Sequence, residues 1–145
     1  MLLALVIGIL SGLRSLAPLA IVAWAAHAGW LTLPPALAWL GGTVVTIILG
    51  VLALGELVAD KLPMTPSRTA LPPLIARAVT GGLAGAAVAG GPLGLVVGIV
   101  GALVGTFGGY RARMALTQAL GSPLVAALLE DLVTIAGAFW VVTRV

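Results

Sequence analysis

The chain has 145 residues, of which 61% are hydrophobic and 8% charged, and its formal net charge is +3. So few charges cannot coat a water-facing surface, since a soluble domain is about 25% charged, and hydrophobicity this high excludes a disordered chain. What remains is a membrane protein; the charge is too small and scattered for nucleic acid, and with no cysteine a disulfide, a thiolate nucleophile and a cysteine-ligated metal are all excluded.

In a bilayer only helix bundles and closed barrels pair every backbone group. The apolar runs are long, rich in Ala, Leu and Gly, and lack strand-type alternation. The expected fold is therefore all-α, a polytopic membrane helix bundle in one domain. A crossing takes about 20 apolar residues, which divides the chain into about five spans. The first covers residues 2–27, with Pro18 as a kink and Trp30 just beyond it as an interface anchor. It begins without a positive n-region, so it reads as a membrane helix rather than a cleaved signal. The second covers 36–62 and is ended by Pro63 and Pro66. The third covers 72–89, its early prolines suited to a first helical turn. Gly-Gly-Pro at 90–92 turns the chain into the fourth span, 93–120, and Gly-Ser-Pro at 121–123 turns it into the fifth, 123–143. Five crossings would put the termini on opposite sides.

Basic residues set the orientation. Lys61, Arg68, Arg111 and Arg113 fall on the side where the chain starts, and only Arg144 and the neutral His27 fall on the other. The positive-inside rule then makes the N-terminus cytoplasmic. Trp24, Trp30, Trp39 and Trp140 read as a belt or packing residues at the far interface. Placed by depth, Arg14 lies near mid-membrane, Arg77 about one turn inside the third span, Glu56 above the end of the second, and Glu130 and Asp131 about two turns into the fifth. Every charge except Arg144 falls in the cytoplasmic half.

The fourth span carries Gly94, Gly98, Gly101, Gly105 and Gly108, then Ala112 and Ala115. Alternating steps of four and three predict one small-residue seam facing one neighbour with a left-handed crossing, either inside the bundle or between two copies. Arg77, Gly81 and Gly85 extend the same pattern to the third span. Residues 6–17 resemble residues 103–115, each with an Arg two residues after a Gly, and their opposite directions would suit an inverted repeat. Glu56 and Glu130, both near one side, do not obey it.

Charge inside a membrane points to function by default. Glu56 and Asp60 share a helix face, with Arg14 and Arg77 as expected partners. Ser67, Arg68 and Thr69 precede a helix start, an arrangement fit to receive an anion or phosphate or simply to cap the helix. Glu130 and Asp131 point about 100° apart, so they are not expected to share a partner; one would pair with Arg111 or Arg113. The candidate substrate-binding set is thus Arg14, Glu56, Asp60, Lys61, Ser67, Arg68, Thr69, Arg77, Arg111, Glu130 and Asp131. A lone His27 excludes a multi-histidine metal site, and no HExxH, GxSxG or nucleotide-binding loop occurs, so no cofactor, metal ion or catalytic residue is assigned.

"SGLRSLAP" followed by "WAA", then "GELVADKLPMTPSRT", a downstream Arg and "GGYRAR" resemble the bacterial membrane family catalogued as domain of unknown function 4126, over nearly the whole chain. The resemblance implies a small helical protein of the bacterial inner membrane and assigns no reaction. Three functional classes follow from the charged layer. The first is a permease or flippase-like transporter of a small anionic or phosphate-bearing substrate, working as a homodimer. The second is a non-catalytic scaffold or assembly factor with a structural ion network. The third is an enzyme acting on lipid or isoprenoid phosphates. Beyond the lipid bilayer, the expected partner is an anionic small molecule or a lipid headgroup.

Overall fold

The computed structural model describes residues 1–61 and 70–145. Ser67, Arg68 and Thr69 lie outside the described residues. All regular structure in the described residues is helical: α1 (Leu2–Leu13), α2 (Ala17–His27), a 3₁₀ turn (Pro35–Gly41), α3 (Thr43–Ala59), α4 (Leu71–Ala89), α5 (Gly91–Leu120) and α6 (Pro123–Val142). Three of these, α4, α5 and α6, are long and apolar enough to cross a membrane; the 3₁₀ turn and α3 make a fourth if taken as one bent span.

The first apolar stretch is not one kinked crossing. It breaks at Arg14, whose backbone is extended (φ −137°, ψ 119°), and restarts at Ala17. Pro18 is the cause, acting four residues upstream of itself: it has no N–H for the carbonyl of residue 14, and its ring would clash there. Proline is tolerated in the first turn of the new helix, where it now sits.

The two halves run in opposite directions. Leu5 and Ile9 abut Gly101, Ile9 also abuts Gly105, and Gly12 lies between Ala102 and Thr106, so α1 runs parallel to α5. Leu16 is bonded to Glu56, Trp24 packs edge-on against Phe139 at 5.7 Å, and Nδ1 of His27 is 3.0 Å from Gly41 O. So α2 returns toward the end from which α1 set out. Helices of 12 and 11 residues reach only about 16–18 Å, against about 30 Å of hydrocarbon. They form a half-spanning hairpin whose tip, Arg14–Leu16, is enclosed by the bundle. Both chain termini consequently lie at the same end, with Trp24 and Trp140, rather than on opposite sides. The segments 6–17 and 103–115 run the same way, which removes the basis for an inverted repeat.

The second stretch also divides. The 3₁₀ turn meets α3 at 65°, with Gly42 extended between them. The turn into α5 follows the expected pattern, with Gly90 and Gly91 at φ 77° and 71°, a region open to glycine at no steric cost. Gly121 (φ 67°) and Ser122, whose Oγ accepts from Val125 N at 3.4 Å, make the turn into α6.

Glycine backbones bring α1, α4 and α5 together. A Cβ added at Gly94 would lie 2.7 Å from Gly85 O, and one at Gly101 would lie 2.5 Å from Leu5 O. These approaches serve two neighbours rather than one: Gly94 and Gly98 receive α4, while Gly101 and Gly105 receive α1. Bare backbone leaves room for the hairpin to wedge in beside α4, where a side chain would hold it off. Gly108 meets nothing within 4 Å and takes no part. In lipid this proximity stabilises by dispersion, because no hydrophobic drive acts between helices. The apolar residues that remain exposed, such as Val44, Ile47 and Val51 on α3, suit a lipid surround.

Gly105→Ala should therefore lower the melting temperature in detergent, because its methyl meets the backbone of Ile9 and overpacking costs about 1–3 kcal/mol. Gly108→Ala should be neutral or raise it, since Ala stabilises a helix interior by about 0.5–1 kcal/mol over Gly. Thermal melts of the two purified variants check the contrast.

Candidate functional site: the charged layer around the hairpin tip

A chain reversal inside a bilayer exposes unpaired backbone groups. The end of α1 leaves carbonyls without donors, and the start of α2 leaves N–H groups without acceptors. Each costs several kcal/mol if unpaired in hydrocarbon. The structure satisfies them with side chains from other helices. Arg77 of α4 donates to Gly12 O at 2.6 Å and Leu13 O at 3.4 Å. Thr106 of α5 donates to Ala102 O at 2.7 Å and also reaches Gly12 O at 3.4 Å. Glu56 of α3 accepts from the N–H of Ser15 at 2.7 Å, the hydroxyl of Ser15 at 2.5 Å and the N–H of Leu16 at 2.8 Å. A cation thus caps a helix C-terminus and an anion caps a helix N-terminus, the favourable sense for both helix dipoles.

Arg14 projects from the tip and is fully buried. Its Nε donates to Asp131 Oδ1 at 2.6 Å, its Nη2 lies 2.5 Å from the same oxygen, and its Nη1 lies 3.2 Å from Glu130 Oε1 and 2.9 Å from Asp60 Oδ2. Two further cations close the layer. Arg113 of α5 donates to Asp60 Oδ2 at 2.7 Å. Lys61 donates to Asp131 Oδ2 at 2.5 Å and to Leu57 O at 2.8 Å. The hairpin tip is thereby tied to α3, α4, α5 and α6.

The layer assembles Arg14, Glu56, Asp60, Lys61, Arg77, Glu130 and Asp131 from the candidate set, with several pairings changed. Glu56 binds the tip backbone rather than Arg14 or Arg77, because the break that supplies free N–H groups lies beside it. Glu130 and Asp131 share Arg14 despite their angular separation: a guanidinium carries five donors in a planar fork, wide enough to meet carboxylates on two sides. Arg113 pairs with Asp60, not with α6. Arg111 is exposed and joins no hydrogen bond or ion pair with the described residues. Ser15, Thr106 and Arg113 belong to the site and are outside the candidate set; the signal for Ser15 was Pro18, taken as a kink rather than as a helix start. Among the described residues no three His, Asp or Glu side chains are grouped to hold a metal ion, since cations stand between the acids.

The chain belongs to the family described as domain of unknown function (DUF4126), which matches residues 1–143. No curated protein and no solved structure matches it.

Glu56→Ala should strand the N–H groups of Ser15 and Leu16 at a cost of about 1–3 kcal/mol each. Hydrogen exchange should accelerate at the start of α2 while α5 stays protected; unchanged exchange at residues 15–17 would remove Glu56 from the cap.

Proposed function

We propose that this DUF4126 protein is a non-catalytic membrane scaffold or assembly factor, and that its charged layer is a structural ion network. The observation that carries this reading is charge balance. Arg14, Lys61, Arg77 and Arg113 stand against Glu56, Asp60, Glu130 and Asp131, and each acid is held by a cation or by backbone N–H groups. A guest anion would have to displace a carboxylate from a buried guanidinium. In this reading a second copy or a partner protein packs on α3, where Ala53 is the buried residue.

A permease or flippase-like carrier of a small anionic or phosphate-bearing substrate is the second reading. It is favoured by the half-spanning hairpin, since discontinuous helices whose ends meet charge near the bilayer midplane are a carrier device. The two readings differ in what Arg14 is for. Breaking a buried pair from one side costs about 3–5 kcal/mol, whereas replacing both partners is often neutral. Arg14→Met alone should lower the melting temperature sharply, and Arg14→Met with Glu130→Gln, which leaves Asp131 on Lys61 and Asp60 on Arg113, should recover much of the loss. In proteoliposomes neither variant nor the wild-type protein should take up phosphate or small carboxylates. Uptake by wild type that both variants lose would establish the carrier reading instead.

We infer a sidedness to go with this reading. Lys61, Arg111 and Arg113 lie at the end of the bundle opposite both termini, and the positive-inside rule favours that end as the cytoplasmic one. The N-terminus would then lie on the far side, the alternative to the cytoplasmic placement expected from five crossings. The chain has no cysteine, so single cysteines are clean reporters. Ser122→Cys should be labelled by a membrane-impermeant maleimide only after the cells are opened, and Gly29→Cys in intact cells once the outer membrane is made permeable.

A further inference from the structure

Four acids are all this chain has, and every one belongs to the layer around the hairpin tip. Of its seven basic residues, four are in that layer and Arg144 lies 5.5 Å over the ring of Trp140 at the other end of the bundle. Arg68 lies outside the described residues. Arg111 is exposed and unpaired with the described residues. A second copy of this chain brings no carboxylate side chain that is not already held in its own layer. A counter-charge for Arg111 therefore comes from outside the protein.

The surroundings of Arg111 say which kind. One turn away on the same face of α5 lie Phe107 and Gly108 before it and Met114 and Ala115 after it, all exposed. Nothing approaches the open side of Gly108 within 4 Å, so the guanidinium stands beside a bare strip of helix flanked by large apolar side chains. The neighbouring Tyr110, 40% exposed, adds a hydroxyl donor. The depth fits as well. Gly91 starts α5 at the tryptophan end, and about 30 Å of helix separates it from Arg111, the thickness of the hydrocarbon core. The residue sits where the phosphate plane of one leaflet falls. Because α5 continues to Leu120, a ligand reaches Arg111 from the side, out of the leaflet.

We propose that Arg111 binds the phosphodiester of a membrane phospholipid, whose acyl chain lies along Val104, Phe107 and Gly108. A guanidinium suits this group because it can donate two parallel hydrogen bonds to a phosphate. The assignment uses the placement of charge and the exposed surface around Arg111, not the role of the layer, so it stands or falls separately from the scaffold reading.

The test is native mass spectrometry of the delipidated full chain in detergent, titrated with phosphatidylglycerol and, in parallel, with diacylglycerol of the same chains. Wild type and the Arg144→Leu control should hold one more phosphatidylglycerol than Arg111→Leu, whose affinity should fall at least about tenfold. Arg111→Lys should be intermediate, and all variants should melt like wild type because Arg111 supports no other described residue. Equal retention by Arg111→Leu, or equal retention of diacylglycerol, would overturn the proposal. So would displacement of the lipid by millimolar inorganic phosphate, which would mark a site for free anions.

Discussion

A turn of polypeptide inside a bilayer has no water to pair with, and the reversal at Arg14–Leu16 is the constraint around which this bundle is arranged. It leaves carbonyls at the end of α1 and N–H groups at the start of α2, and each must find a partner in protein. The partners come from α3 (Glu56), α4 (Arg77) and α5 (Thr106). Arg14, carried by the same turn, draws in α6 through Glu130 and Asp131. Scarce charge gathers at one level of the fold because that is where backbone would otherwise be unpaired.

Those ties work only if the helices approach closely. Arg77 reaches Gly12 because α1 and α4 both lie against the glycine-lined side of α5. Dispersion between bare backbones and the polar ties at the tip thus reinforce each other. The first holds the arms of the hairpin and the second holds its end. Once the ties are made, the layer is electrically closed, with as many acids as bases, and a closed layer is better suited to fixing helix positions than to receiving an ion. The one described cation that the protein leaves without a partner at that end of the bundle, Arg111, faces outward.

Much of this was legible in the residues. Hydrophobicity and sparse charge dictate a membrane helix bundle, because no other backbone arrangement suits this composition. Gly90–Pro92 and Gly121–Pro123 mark the turns flanking α5, since glycine at positive φ followed by proline ends one helix and starts another. The depth of Arg14, Glu56, Asp60, Glu130 and Asp131 follows from counting along apolar runs, and it placed them in one layer. The glycines at 94, 98, 101 and 105 announce close packing by their spacing alone.

What the sequence could not decide was direction and partnership. A run of 26 residues with a proline in it is compatible with a kinked crossing or with a hairpin; the outcome depends on whether α3, α4 and α5 supply caps for a broken end, and those caps are distant in the chain. Once the chain reverses after α1, both termini fall at one end of the bundle instead of at opposite ends. Pairing is likewise a property of three-dimensional approach: Glu130 and Asp131 diverge on their own helix and still meet on Arg14, because a buried guanidinium between two carboxylates binds both. Composition and spacing determined that this chain lives in a membrane and gathers its acids and most of its bases toward one end. Tertiary contact decided that the charged layer surrounds the tip of a half-spanning hairpin, since only neighbouring helices could satisfy the backbone exposed there.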